Sequence, residues 1–402
     1  MDTLDSQTNS DQLHLDQTQT DLPQPKKPSI HSLKDLINYV SGRSITDATT
    51  EDAGIAEQLP FPFIAIVGQS ELKLALVIAL INPIVGGVLL VGPRGTGKTT
   101  AVRSLLDLLP MVLHSTCFYG CLPEDIETGG IDAVCPECAK KYGEGIPFTK
   151  MDRVHLVELP LNASLEDVIG GLDERALNNE RLRIKRGLLS RADQNLLYLD
   201  EVNLLSNEIT DSILDAAAQG SFTVHRGPVS ATYRSRFTLI GSMNPEEGNL
   251  RPQILDRFGL RVIVRGLTDL SERFEAYRRV KSYRNNPRQI IAQYSSGTSQ
   301  LRSEIQLARE FLPSVEIPEP VAKIGLELIR KLRIDSLRAE ITLFEAARAY
   351  AAAESRTQVT IEDLHPISPM CLRMRYSKFM DEYLSNLDSN EKELDSFFNE
   401  NN

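Results

Sequence analysis

Gly92-Pro93-Arg94-Gly95-Thr96-Gly97-Lys98-Thr99, followed by Thr100, gathers residue types that suit one chemistry, the cradling of a polyphosphate. The glycines let the backbone curl until successive N–H groups face an anion, and the loop opens a helix whose N-terminus carries partial positive charge. Lys98 brings a point charge to the β- and γ-phosphates of a nucleoside triphosphate, and the Thr99 hydroxyl suits Mg²⁺. An ordinary glycine-rich turn would not also need the apolar run Gly87–Val91 before it and an amphipathic stretch after it. About a hundred residues on, Asn195–Leu199 reads as a buried strand ending in Asp200-Glu201. Asp200, at the carboxyl end of a neighbouring parallel strand, would hold the same Mg²⁺, and Glu201 would polarise a water for in-line attack. Asp-Glu also ends many plain strands, so the loop upstream is what favours the catalytic reading. A third run, Phe237–Gly241, leads into Ser242-Met243-Asn244-Pro245, where Asn244 either orients that water or begins the turn at Pro245.

A second group of residues points to metal. Cys117 with Cys121 and Cys135 with Cys138 form two close pairs with thirteen residues between them. That spacing suits a tetrahedral thiolate site for structural zinc, each pair gripping one edge of the metal. An iron–sulfur cluster and unligated buried thiols remain alternatives, and a disulfide is disfavoured in a reducing cytosol. Cys371 stands alone in a helical region and reads as core.

These residues need a scaffold, and the chain supplies one. Its 402 residues, 41% hydrophobic, can fill two domains of ordinary size. From 59 to 265 apolar strands alternate with helical segments, the pattern of an α/β parallel sheet flanked by helices. Strands are expected near Val88–Val91, Val154–Leu159, Leu196–Asp200, Phe237–Gly241 and Leu260–Val264, with the cysteines in an insertion at 117–138. Residues 266–300 read as a helix and then a Ser/Gly-containing linker. Residues 301–383 read as a C-terminal helical domain, in which Pro318 and Pro320 open one helix and Thr360 with Asp363 caps another. The segment 1–58, rich in Asp, Gln, Thr and Ser, reads as a disordered tail around a short helical spacing at Ile30–Val40, and 384–402 as an acidic tail. The net charge of −11 argues against a nucleic-acid backbone as partner, and the basic run from Arg278 to Arg288 reads as a solvated helix. With no apolar run of membrane-spanning length and no signal core at the N-terminus, a cytoplasmic protein is expected.

The stretch Gly241–Gly259, ending in Asp256-Arg257-Phe258-Gly259, resembles the ATPase subunit I family of magnesium chelatases, as do Phe61–Gln69 and Leu199–Leu205. The likeness runs from 60 to about 380 and lies in the chelatase and MoxR-like branch of AAA+ ATPases. It implies an AAA+ fold with a helical lid and assembly into a ring, expected to be hexameric. It also implies a sensor 1 role for Asn244 and an Arg257 supplied to the neighbouring subunit's nucleotide. Arg251 competes for part of that role, and surface ion pairing is the plain alternative. By the same likeness Arg338 is the sensor 2 arginine, reaching from the lid to the γ-phosphate, a salt bridge to Glu340 or another acid being the alternative. Residues 160–190 and 220–233 match the family's helix insert and presensor hairpin, although Asn162–Leu165 departs from the usual wording. The implied function is ATP hydrolysis that drives insertion of Mg²⁺ into protoporphyrin IX, for chlorophyll-type pigments. Implied partners are a von Willebrand-containing AAA+ companion and a large porphyrin-binding subunit. A MoxR-like chaperone ATPase maturing another metalloprotein is the alternative.

Overall fold

A computed structural model describes residues 59–376, apart from 110, 118–119, 172–185, 227–228 and 249. The expected tails at 1–58 and 384–402, the Ile30–Val40 segment and the end of the 301–383 segment lie outside the described residues.

Five short strands form one parallel sheet: β1 (Val88–Val91), β4 (Leu156–Leu159), β5 (Leu196–Leu199), β8 (Thr238–Met243) and β9 (Leu260–Ile263), in the order β4-β5-β8-β1-β9. Two antiparallel ribbons stand beside it, β2 (Met111–Ser115) with β3 (Thr149–Arg153) and β6 (Ser221–Arg226) with β7 (Val229–Arg234). The helices are α1 (Ser70–Ile81), α2 (Lys98–Ser104), α3 (Pro123–Gly129), α4 (Pro136–Gly143), α5 (Leu165–Ile169), α6 (Leu188–Arg191), α7 (Asn207–Gln219) and α8 (Pro252–Arg257). There follow α9 (Leu270–Asn285), α10 (Pro287–Phe311), α11 (Glu319–Lys331), α12 (Leu337–Ala353) and α13 (Ile361–Leu372).

β1 and β5 are fully buried and apolar on both sides because both sheet faces are covered there. Val88, Leu90, Leu260 and Val262 pack with α1, α2, α10, α12 and α13 in one core, while Leu89, Val91, Leu197, Leu199 and Leu239 face α6, α7 and α8 in another. Alternation along β1 therefore feeds both layers. The helical segment shares the first core, so it rests on the sheet. Pro318 is the N-cap of α11, and at the start of α13 Asp363 Oδ2 accepts from the Thr360 N–H at 2.8 Å, as the sequence suggests.

Two expectations need correction. Residues 266–300 contain no Ser/Gly linker: α10 runs unbroken through Ser295, Ser296 and Gly297. A Cβ on Gly297 would come 2.7 Å from Ile64 Cδ1, so the helix passes close over the end of that side chain. Nor are the strands carrying the glycine loop and Asp200 neighbours, because β8 lies between β1 and β5. Among the described residues no helix is long and apolar enough to cross a membrane.

Candidate active site

Backbone conformation builds the loop between β1 and α2 before any side chain acts. Gly95 and Gly97 have φ of +76° and +85°, where an L side chain is strained, and a Cβ on either would meet nothing within 4 Å. The loop is thus open on the side where a ligand would lie. Gly92 serves close approach instead, as a Cβ there would fall 2.1 Å from the Val264 carbonyl oxygen. Lys98, first residue of α2, turns back and donates from Nζ to the carbonyls of Gly92 at 2.6 Å and Pro93 at 2.8 Å. Burial lowers its pKa, against the opposing pull of Asp200, Glu201 and Glu247.

At the same sheet edge Tyr198 Oη lies 3.1 Å from Thr99 Oγ1 and donates to Asp200 Oδ1 at 2.9 Å. Ser242 Oγ donates to the same carboxylate oxygen at 2.5 Å. Burial pushes the Tyr198 phenol up to about 12, further from ionisation than an exposed phenol. Glu201 follows with a positive φ of 52°, its N–H donating to Ser242 Oγ at 3.3 Å. Arg94 spans the mouth, 3.0 Å from Glu201 and 2.7 Å from Glu247. Asn244, only 4% exposed, gives its Nδ2 proton to Glu247 Oε1 at 2.9 Å and accepts from the Glu246 N–H at 3.3 Å. It both starts the turn at Pro245 and faces the site.

Arg94 to Thr100, Asp200, Glu201, Ser242, Met243 and Asn244 line one cavity of about 500 Å³. A second, of about 350 Å³, shares Gly95, Thr96, Gly97 and Thr100 with it and runs between Ile66, Val67, Leu72 and Leu267. A charged cradle continuous with an apolar slot fits a polyphosphate joined to a flat base, and Thr99 beside Asp200 is a hard oxygen pair of the kind Mg²⁺ takes. The sequence reading missed Tyr198, Ser242 and Glu247. Two of them had a signal, since Tyr198 and Ser242 precede Asp200 and Asn244 by two and so share their strand faces.

Arg257 and Arg338 are not in that cavity. They line another, of about 170 Å³, at the opposite end of the strands, with Gly86 and Gly87 before β1, Thr238 at the start of β8 and Gly259 before β9. Arg257 is ion-paired with Asp215 of α7. Arg338 Nη1 lies 3.5 Å from Asp256 Oδ2, and the same carboxylate takes Arg375 at 2.7 Å. Arg251 pairs with Asp211 at 3.2 Å. Arg338 thus stands away from the γ-phosphate side of its own chain's glycine loop, because α12 begins at the opposite end of the sheet.

The four paired cysteines do converge: their sulfurs all lie within 4.8 Å of one another. A tetrahedral zinc with bonds of about 2.3 Å needs sulfurs roughly 3.8 Å apart, so the donor set fits after a small contraction. Backbone N–H groups of Cys121 and Cys135 already donate to Cys117 Sγ and Cys121 Sγ, each at 3.3 Å. None of the five cysteines is disulfide-bonded, and Cys371 is fully buried as expected.

Compared with known proteins, this chain is 43% identical to a magnesium-chelatase 38 kDa subunit of Acidiphilium rubrum, over 78% of this chain and 90% of the relative. The chain belongs to the magnesium chelatase ATPase subunit I family. The family profile described as magnesium chelatase, subunit ChlI, matches residues 63–253, and an AAA lid domain matches 326–395. A magnesium-chelatase subunit ChlI homolog of Methanocaldococcus jannaschii is 42% identical over 85% of this chain and 92% of its own. A crystal structure of a candidate ATPase from Cytophaga hutchinsonii has the same fold, with a TM-score of 0.50 at 20% identity, covering 78% of this chain and 84% of that one. Magnesium chelatase family membership thus joins an AAA+ fold with a lid to the cavity at the sheet edge.

Proposed function

We propose that this chain is the ATP-hydrolysing motor subunit of a magnesium chelatase, with 59–265 as its ATPase unit and 301–383 as its lid. The observation that carries the reading is the convergence of Lys98, Thr99, Asp200, Glu201 and Asn244 on one cavity at the carboxyl ends of β1, β5 and β8. The loop N–H groups and Lys98 bind the phosphates, exchanging the Lys98 contacts to Gly92 and Pro93 for phosphate oxygens. Thr99 and Asp200 would hold Mg²⁺, which neutralises charge on the transferred phosphoryl group. Glu201 accepts a proton from the attacking water, for which the Arg94 bridge to Glu201 and Glu247 must open. Asn244, fixed by Glu247, orients that water.

Arg257 and Arg338 face away from this chain's own cavity, which supports a ring, of six subunits on the family pattern, in which both serve the neighbour's nucleotide. A guanidinium there stabilises charge on the phosphoryl oxygens, worth about 10³–10⁵ in rate in known cases. Turnover would drive a von Willebrand-containing companion and a porphyrin-binding subunit, the latter carrying the Mg²⁺ insertion into protoporphyrin IX. The four-cysteine cluster is read as a structural zinc site apart from this chemistry.

The test is reconstitution with those two partner subunits, ATP, Mg²⁺ and protoporphyrin IX, followed by the fluorescence of the magnesium porphyrin. Product that depends on ATP and disappears with Glu201→Gln is expected. ATP turnover without product, in the presence of active partners, would favour the chaperone alternative.

A further inference from the structure

The segment between β2 and β3 has little to fold around: Cys117, Cys121, Cys135 and Cys138 with Val134, Phe148, Ile126 and Ala139. A core this small needs a staple, and a metal binding energy becomes folding energy in such modules. The module is also tied outward. Asp125 of α3, set between the two cysteine pairs, ion-pairs with Arg234 at the end of β7, and both side chains are mostly buried, 16% and 20% exposed. Two residues on, the Arg236 N–H donates to Asp193 Oδ1 at 2.8 Å, and Arg236 O accepts from Gln194 N–H at 2.7 Å. Arg186 closes the triangle, donating to Cys117 O at 3.3 Å, Ser190 O at 3.1 Å and Ser190 Oγ at 2.7 Å. The β6–β7 hairpin has a modest core of its own, Val224 and Tyr233 against Phe222 and Ile169.

We propose that the metal-organised cysteine module is the mount of the β6–β7 hairpin, so that metal at Cys117, Cys121, Cys135 and Cys138 fixes where the hairpin stands against the sheet. This rests on the zinc reading. Without metal the loop carrying Asp125 loses its order, and the carboxylate that neutralises Arg234 is no longer held in place. Arg234 is desolvated enough that burial lowers its pKa, so it is costly to leave unpaired. The hairpin would then open locally, while β1, β5 and β8, packed in the main cores, would not.

The experiment is zinc analysis together with amide hydrogen exchange on the full chain, for wild type, Cys138→Ser and Asp125→Asn. The wild type should hold about one zinc per chain. Cys138→Ser should lose it and Asp125→Asn should keep it. Both variants should speed exchange at Phe222–Val224 and Thr232–Tyr233 about tenfold, leaving β1 and β8 unchanged. Arg234→Lys, which keeps the ion pair, should exchange like wild type. A wild-type protein without metal overturns the zinc reading and the mount with it. Zinc present, with hairpin exchange unmoved by either variant, overturns the mount alone.

Discussion

Tyr198 donates its hydroxyl proton to Asp200 Oδ1 at 2.9 Å while lying 3.1 Å from Thr99 Oγ1, so one buried phenol sits between the two oxygens that suit Mg²⁺. The Asp200 carboxylate is thereby oriented before metal arrives. Tyr198→Phe keeps the ring in the core and removes that restraint. The Mg²⁺ concentration giving half-maximal ATP hydrolysis should rise about tenfold, with the rate at saturating Mg²⁺ little changed. Phosphate release titrated against free Mg²⁺ measures it. An unaltered titration would leave Tyr198 with a packing role alone.

Lys98 and Glu201 should separate binding from chemistry. Lys98→Ala removes the ammonium that the loop presents to the phosphates, and nucleotide affinity should fall below detection by calorimetry. Glu201→Gln keeps the cradle and removes the base, so ATP should bind normally and turnover drop by about 10²–10⁴. Wild-type turnover in the glutamine variant would exclude Glu201 as the water-activating residue.

Asp256 joins α8 to the lid segment. Its carboxylate takes Arg375 at 2.7 Å, Arg338 at 3.5 Å and the Ser336 hydroxyl at 3.2 Å, and the Arg261 guanidinium lies 3.9 Å away. Arg261 and Arg375 have only 1% of their side chains exposed, so Asp256→Ala leaves two buried cations short of a counter-charge. A loss of about 2–3 kcal/mol in unfolding free energy is expected, below the value for a fully buried pair because Asp256 is part-exposed. Urea unfolding monitored by circular dichroism would show it, and an unchanged midpoint would contradict it.

The middle of the sheet was legible because β1, β5 and β8 are mostly buried and read as short apolar runs that end where the site begins: Val91 before Gly92, Leu199 before Asp200, Met243 before Asn244. The β2–β3 ribbon was not, since Met111, Leu113 and Met151 are exposed and Lys150, Asp152 and Arg153 interrupt any pattern. Ser295 to Gly297 imitated a linker because propensity cannot register that α10 packs at Gly297 close against the end of the Ile64 side chain. In the site, residue type and motif gave Lys98, Thr99, Asp200, Glu201 and Asn244, which line one cavity. The hydrogen bonds that hold them, from Tyr198, Ser242 and Glu247, depend on which strands adjoin, and the interposition of β8 between β1 and β5 is a matter of topology that no local pattern carries. For Arg338, its place in the lid was readable and the end of the sheet it faces was not.

An ATPase site divided between chains, as proposed here, is tested most directly by hydrolysis in mixed assemblies. Arg257→Ala should bind ATP yet hydrolyse it about 10³-fold more slowly, and Glu201→Gln should be slow for its own reason. Mixed together, some interfaces join an intact Arg257 on one chain to an intact Glu201 on the next. Steady-state phosphate release should therefore rise well above that of either variant alone and peak near equal proportions. Mixed assemblies shown to form, with no recovery at any ratio, would contradict an arginine acting across the interface.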